Sequence, residues 1–246
     1  MLTKLSLATS LLLSSSSAAS TEEWKKRSVY QILTDRFDCG THQCQPCSDL
    51  SNYCGGDWKG ITKNLLYIRQ ILGFDAIWIS PVVDNMEGGY HGYWAQDWEK
   101  TNSHFGSDDD LKELINAAHA LDMFVMVDVV ANHVAPVGED YRTIKPFNNA
   151  EHYHENCDID FKSGDQKNKE DCRLAGLPDL KQENPWVREY LKGWISNLVT
   201  TYGFDGIRID TVPEVPKDFW TEYGQAAGVF QMGENFNGDP AYVGPY

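Results

Sequence analysis

The segment that most constrains the fold is Phe124-Val-Met-Val-Asp-Val-Val130, which is apolar on both faces of an extended chain. A strand exposed on one side alternates apolar with polar residues. One buried on both sides does not, and such runs belong to parallel sheets covered by helices. Shorter runs of similar character flank it. Ser28–Leu33 and Ala76–Ser80 read as a first and second strand, Gly203–Asp210 as a fourth and Val229–Glu234 as a fifth. Helix-like segments alternate with them. Ile61–Leu72 carries apolar residues at 61, 65, 68, 71 and 72, and Asp108–Leu121 at 111, 114, 115, 118 and 121 behind an acidic first turn that suits the helix dipole. Pro185–Tyr202 places Tyr190, Trp194, Leu198 and Tyr202 at i, i+4 spacing, and another helix spans about Pro216 to Ala227. Repeated βα units with right-handed crossovers give a parallel sheet, either doubly wound or a (β/α)8 barrel.

Residues 134–183 break this rhythm. They are polar, rich in His and Asn, and show no long periodic segment, so they are expected to form an inserted loop-rich subdomain after the third strand. The tail after Glu234 reads as a loop.

Composition narrows compartment and partners. A formal net charge of −15 argues against nucleic acid, which needs clustered Lys and Arg. Lys4, the apolar stretch Leu5–Leu13 and the small residues Ala18-Ala19-Ser20 read as a secretory signal over residues 1–20. The expectation is a secreted, extracellular chain with no membrane attachment after cleavage. Later segments lack the about 18 to 20 continuous apolar residues of a membrane span. In an oxidising compartment the six cysteines are expected to form disulfides, although Cys44-x-x-Cys47 also has zinc-ligand spacing. Cys157 is paired with Cys172. Cys39, Cys44, Cys47 and Cys54 allow three connectivities, with Cys47–Cys54 the first choice.

The chemistry is expected at strand ends. Alternation places Arg208 and Asp210 on one face of the fourth strand and Ile207 and Ile209 on the other. The fifth strand delivers Glu234 at its own end. Two carboxylates on neighbouring strand ends are what glycoside hydrolysis requires, although a buried ion pair gives the same pattern. Asp210 beside Arg208 suits a nucleophile, and Glu234 suits a proton donor if its surroundings raise its pKa. Carboxyl groups about 5 to 5.5 Å apart imply retention, and about 6.5 to 9.5 Å inversion. Asp128-Val-Val-Ala-Asn-His133 and Tyr90-His-Gly-Tyr-Trp94 end the third and second strands. Alone, each reads as ordinary hydrogen bonding or packing; together they surround one end of one sheet, which favours the barrel.

In combination these motifs resemble a known family. Asp128–His133, Gly206-Ile-Arg-Ile-Asp210 and Gly233-Glu234 are similar to ordered signature regions of the α-amylase family of glycoside hydrolases. Tyr90–Trp94, Tyr53-Cys-Gly-Gly56 and Asp239-Pro-Ala-Tyr-Val-Gly-Pro245 are similar to the secreted fungal-type members. The resemblance runs from about residue 24 to the last residue. It implies a calcium-dependent (β/α)8 barrel that hydrolyses internal α-1,4-glucosidic bonds of starch with retention and is monomeric at full length. Asp210 matches the nucleophile, Glu234 the acid/base and Arg208 the residue orienting the nucleophile. His133, His91 and Tyr93 match residues holding the sugar, with Trp94 beside them. Asn132, Glu170 and Asp179 match side-chain calcium ligands, and Glu214 one that offers its backbone carbonyl. The implied division is residues 1–20 signal, 21–133 first part of the barrel, 134–183 calcium-associated insertion, and 184–246 the barrel continued.

Two departures stand against that pattern. Pro213-Glu214 replaces the usual Lys-His pair, which leaves an α-glucanotransferase as the alternative activity. The family's His-Asp region and the last three barrel strands are absent, so the barrel is expected to be incomplete, with about five strands. From this, the isolated chain is expected to be poorly soluble with little or no activity, and a non-catalytic glucan- or calcium-binding product is the remaining alternative.

Overall fold

The computed structural model describes residues 19–40, 44 and 46–246. The expected signal segment, apart from Ala19 and Ser20, lies outside the described residues. In chain order the first half contains α1 (Thr21–Trp24), β1 (Val29–Ile32), α2 (Thr34–Phe37), α3 (Trp58–Tyr67), β2 (Ala76–Ile79), β3 (Val83–Asn85), β4 (Ala95–Thr101), α4 (Asp108–Ala120) and β5 (Phe124–Val129). The second contains α5 (Gln166–Asp171), α6 (Pro185–Tyr202), β6 (Gly206–Ile209), α7 (Lys217–Ala227), β7 (Phe230–Gly233) and α8 (Pro240–Val243). Strands β1, β2, β5, β6 and β7 form one parallel sheet in that order, and β3 and β4 form a separate antiparallel pair.

The sheet sorts its side chains by face. Ile77, Ile79, Val125, Val127, Val129, Ile207 and Ile209 are buried with the helices in the main core. Ala76 and Met126 lie on the other face with Trp24, which packs against Phe124 and stacks on Phe230 at 5.1 Å. Trp24 Nε1 donates to the Asp205 carbonyl at 3.1 Å, so the residue before β6 is fastened to α1. Gly206 leaves room for this indole; a Cβ there would lie 2.9 Å from Trp24 Cζ2. Further along the same face the apolar layer gives way to Trp78, Asp128 and Arg208, at the C-terminal end of the sheet.

Helix boundaries follow local chemistry. Ser107 and Asp110 cap α4 reciprocally, and Leu111, Leu114, Ile115 and Ala118 are its buried stripe. Asn184 caps α6, Pro185 occupies its first turn, and Gly203 closes it at φ 84°, a left-handed conformation that glycine adopts readily. Two expected stripes are displaced. The helix begun by α3 widens into a π turn at Ile68–Leu72, which shifts the facing of its last residues, so Ile71 is 71% exposed. In α6 the buried face is Val187, Leu191, Ile195, Leu198 and Val199, while Tyr190, Trp194 and Tyr202 lie on its half-buried flank. The β3–β4 pair and the short α1, α2 and α8 were not expected from the sequence.

The disulfides are Cys39–Cys44, Cys47–Cys54 and Cys157–Cys172. Residues 134–183 hold short helical turns whose apolar residues Ile144, Phe147, Tyr153 and Leu180 join the main core. Among the described residues, strand β7 has one unpaired edge, with Gln231, Met232 and Gly233 exposed. No helix among the described residues is long and apolar enough to cross a membrane.

Candidate active site

Parallel registry brings the charged residues together. Asp128 on β5 is level with Arg208 on β6, and Ile209 with Gly233 on β7, so Asp210 and Glu234 leave adjacent strands side by side. Backbone bonds continue the ladder past the strands: Asp210 N donates to Val129 O at 3.0 Å, and Glu234 N to Ile209 O at 2.8 Å.

One guanidinium organises three carboxylates. Arg208 Nη1 lies 3.1 Å from both Asp128 oxygens and 2.7 Å from Asp210 Oδ1, and Nη2 lies 2.9 Å from Glu234 Oε1. Its flat side faces the Trp78 ring at 5.2 Å. Burial works against the Arg208 charge, but Asp128 and Asp210 outweigh it and hold the pKa above the usual value. Asp128 also accepts from Trp78 Nε1 and Tyr93 Oη, each at 3.0 Å, while burial pushes its pKa up to about 7 against the pull of Arg208. Burial raises Glu234 too. The Thr211 amide, donating to Glu234 Oε2 at 2.9 Å, opposes that rise, and the neighbouring Asp210 charge adds to it.

The Thr211 amide reaches Glu234 because Thr211 sits at φ 52°, ψ 49°, a left-handed conformation that costs a β-branched residue of order 1–3 kcal/mol. Thr211, Trp78 and the structural role of Asp128 were missed by sequence reasoning. A β-branched residue gives no local sign of positive φ, and the Trp78–Asp128 bond spans fifty positions.

The structure brings His91, Tyr93 and Trp94 together, with His133 close to His91. His91 stacks on Tyr93 at 5.6 Å, meets Trp94 edge-on at 4.9 Å, and accepts from Tyr93 N through Nδ1 at 3.0 Å. Burial lowers both imidazoles, His133 to about 4, so each is neutral near pH 7. Among the described residues, His133 Nε2 is enclosed with no hydrogen-bond partner. A cavity of about 610 Å³ opens at the strand-end carboxylates, lined by Asp210, Thr211, Glu214 and Glu234 and rimmed by the exposed Phe161 and Phe236; His133, His91, Tyr93 and Trp94 are not among its lining residues. A larger groove of about 790 Å³ between β4 and α6 lacks the strand-end carboxylates.

Three of the four expected metal ligands meet next to this cavity. The Asn132 amide group lies 3.0 Å from Asp179 Oδ1 and 3.0 Å from the Glu214 carbonyl oxygen. With its nitrogen there, Asn132 donates to both and accepts from His133 Nδ1 at 3.2 Å. With the amide turned over, three oxygens from three separate loops converge, a donor set that fits a hard divalent cation. Glu170 is not brought into this group: its Oε1 accepts from Gln166 Nε2 at 2.7 Å, and Gln166 Nε2 also reaches the Pro213 carbonyl at 2.9 Å.

Known proteins share both sequence and architecture. The family described as alpha amylase, catalytic domain, matches residues 31–234. Alpha-amylase 1 of Schizosaccharomyces pombe is 44% identical over 244 residues, covering 93% of this chain and 39% of its own length. The structure of an alpha-amylase from Malbranchea cinnamomea superposes with a TM-score of 0.88 at 43% identity, covering 93% of this chain and 51% of that one. The alpha-amylase of Geobacillus thermoleovorans, crystallised with acarbose, gives a TM-score of 0.81 at 39% identity, covering 89% and 49%. The chain therefore spans about half or less of these relatives, and its five parallel strands are part of their barrel. Matched over most of its length in both sequence and fold, the chain belongs to the alpha-amylase family of glycoside hydrolases.

Proposed function

We propose that the protein acts as a secreted, retaining α-glucan hydrolase that cleaves internal α-1,4-glucosidic bonds in starch-like substrates. The observation that carries this is the shared guanidinium: two nitrogens of Arg208 hold Asp210 and Glu234 at the mouth of one cavity. The acarbose in the Geobacillus structure supports a glucan-like ligand.

In the proposed mechanism an Asp210 oxygen attacks the anomeric carbon as the glycosidic C–O bond breaks. The departing oxygen takes the proton of Glu234, whose raised pKa keeps it protonated to higher pH than an ordinary carboxyl. Water then gives its proton to the Glu234 carboxylate while its oxygen bonds to the same carbon, releasing Asp210. Arg208 holds Asp210 in line through Nη1, and Asp128 braces Arg208. In this reading neutral His133 and His91 hydrogen-bond sugar hydroxyls, and Tyr93 and Trp94 pack on the sugar ring.

Calcium is the proposed cation for Asn132, Asp179 and the Glu214 carbonyl, with Glu170 joining once it releases Gln166. There it would supply positive charge that fastens the 134–183 insertion to the loops after β5 and β6. Secretion is supported by six cysteines that are all disulfide-bonded.

A 5-fluoro maltosyl fluoride, which accumulates a glycosyl-enzyme, tests the reading directly. The expected outcome is one label on the peptide containing Asp210 and none in Asp210→Asn. Labelling elsewhere, or glucan binding by a folded chain that is never labelled, would reject it; the second result favours the non-catalytic alternative. Pro213-Glu214 motivates a second reading, because the Glu214 side chain lines the same cavity as the catalytic pair. Products longer than the starting maltooligosaccharide would assign transfer rather than hydrolysis.

A further inference from the structure

Outside the cavity, one cluster in the 134–183 insertion has the form of a second metal centre. His154 Nε2 lies 3.0 Å from Glu183 Oε2 and 3.7 Å from Asp171 Oδ1, and these three atoms all fall within 4.8 Å of one another. Ligands about 2.0 to 2.2 Å from a tetrahedral ion stand roughly 3 to 4 Å apart, so the spacing accepts an ion with little rearrangement.

The arrangement around the three atoms is also that of a ligand set. His154 Nδ1 is 2.6 Å from Asp179 Oδ2, a buried carboxylate that orients the ring and leaves Nε2 facing the two acids. A carboxylate behind a histidine in this way is the usual support of a metal-binding imidazole. The histidine side chain is only 7% exposed, so its orientation is held by packing. Asp171 Oδ2 is engaged by Lys167 Nζ at 2.5 Å, yet Oδ1 is enclosed and has no hydrogen-bond partner among the described residues. The Cys157–Cys172 disulfide joins the loop of His154 to the end of α5, where Asp171 sits. Glu183, 40% exposed, gives an ion a route in from solvent.

We infer that His154, Asp171 and Glu183 form a site for a first-row divalent transition metal, with Zn²⁺ the best fit. An imidazole nitrogen with two carboxylates suits zinc, whereas calcium takes oxygen ligands only. The inference stands apart from the glycosidase reading, since none of these three residues touches the catalytic pair. It also makes Asp179 a shared wall: Oδ1 faces Asn132 and the oxygen-lined site, and Oδ2 supports His154.

The test is calorimetric titration of Zn²⁺ into the whole chain in saturating Ca²⁺, so that the oxygen-lined site is not the one being read. Co²⁺ absorption reports the ligand geometry in parallel. The expected result is one saturable equivalent with a tetrahedral Co²⁺ spectrum. Affinity should weaken at least about tenfold in Glu183→Gln and in Asp171→Asn, and stay unchanged in His119→Gln, whose imidazole lies elsewhere. Glu183 is half-exposed, so its replacement leaves the fold intact. Absence of saturable binding, unchanged affinity in both carboxylate variants, or loss of binding in His119→Gln would overturn the assignment.

Discussion

Two clusters of buried charge sit side by side at the C-terminal end of the sheet and are assembled in opposite ways. The Asp128–Arg208–Asp210–Glu234 cluster rises from three adjacent strands and contains its own cation, which touches all three carboxylates. The Asn132–Asp179–Glu214 cluster is drawn from loops, has no guanidinium or ammonium, and sets oxygen against oxygen in one orientation of the Asn132 amide. A buried carboxylate without a partner is costly. The first cluster holds its partner within the strands, whereas in the second Asp179 is partnered from outside the oxygen set, by His154 Nδ1 2.6 Å from Oδ2, and the proposed Ca²⁺ would add an external cation.

The strongest way to break that contrast is to remove the internal cation. Arg208→Ala should leave Asp128 and its neighbours uncompensated and cost about 3–5 kcal/mol of stability in urea unfolding, with glycosyl trapping abolished. A loss below about 1 kcal/mol would mean that solvent already compensates the carboxylates. Next is Glu234→Gln, which should slow cleavage of natural glucans by about 10² to 10⁴-fold. It should spare reaction with glycosyl fluorides, whose leaving group needs no proton. Equal losses on both substrates would assign Glu234 a role other than acid.

Removing the external cation should have a smaller, reversible effect. Stability should rise by about 2.7 kcal/mol when Ca²⁺ reaches a hundred times its dissociation constant, and Asp179→Asn should remove that dependence. A chain equally stable in chelator would show the oxygen cluster to be self-sufficient. The smallest effect belongs to an exposed pair. Asp205 lies 2.8 Å from His119 and raises its pKa above 6.5. The pair's stabilisation is thus present below the ordinary imidazole value and is lost as pH rises through the raised one. Solvent screening at a side chain that is 39% exposed keeps the gain below about 1 kcal/mol. His119→Gln should flatten the decline in stability above pH 6.5, and an unchanged slope would exclude the pair as its source.

The contrast also explains what the sequence reveals. Strand-built features were legible because registry is local: Ile207, Arg208, Ile209 and Asp210 alternate as a strand must, and the apolar run of β5 identifies its neighbours. The β4 segment Ala95-Gln-Asp-Trp-Glu-Lys-Thr101 carries three charges in seven residues, and its pairing with β3 is too irregular for an alternation signal. The contacts of Arg208 with Asp128 and Glu234 join residues 80 and 26 positions apart, so no spacing rule reveals them. Glu170 had a role by resemblance, but Gln166 four residues earlier competes for it, a rivalry that only the folded α5 brings about.

The left-handed turn at Thr211 has a consequence for how this surface can vary. Its amide is committed to Glu234, and three residues later the Glu214 carbonyl is committed to Asn132. The backbone from 211 to 214 is thus fixed at both ends by main-chain groups, while Pro213 and Glu214 line the cavity. Substitutions at 213 and 214 would change the cavity wall without moving the Glu234 carboxylate or the Glu214 carbonyl. The wall of the cavity is free to drift on a stretch whose path is not.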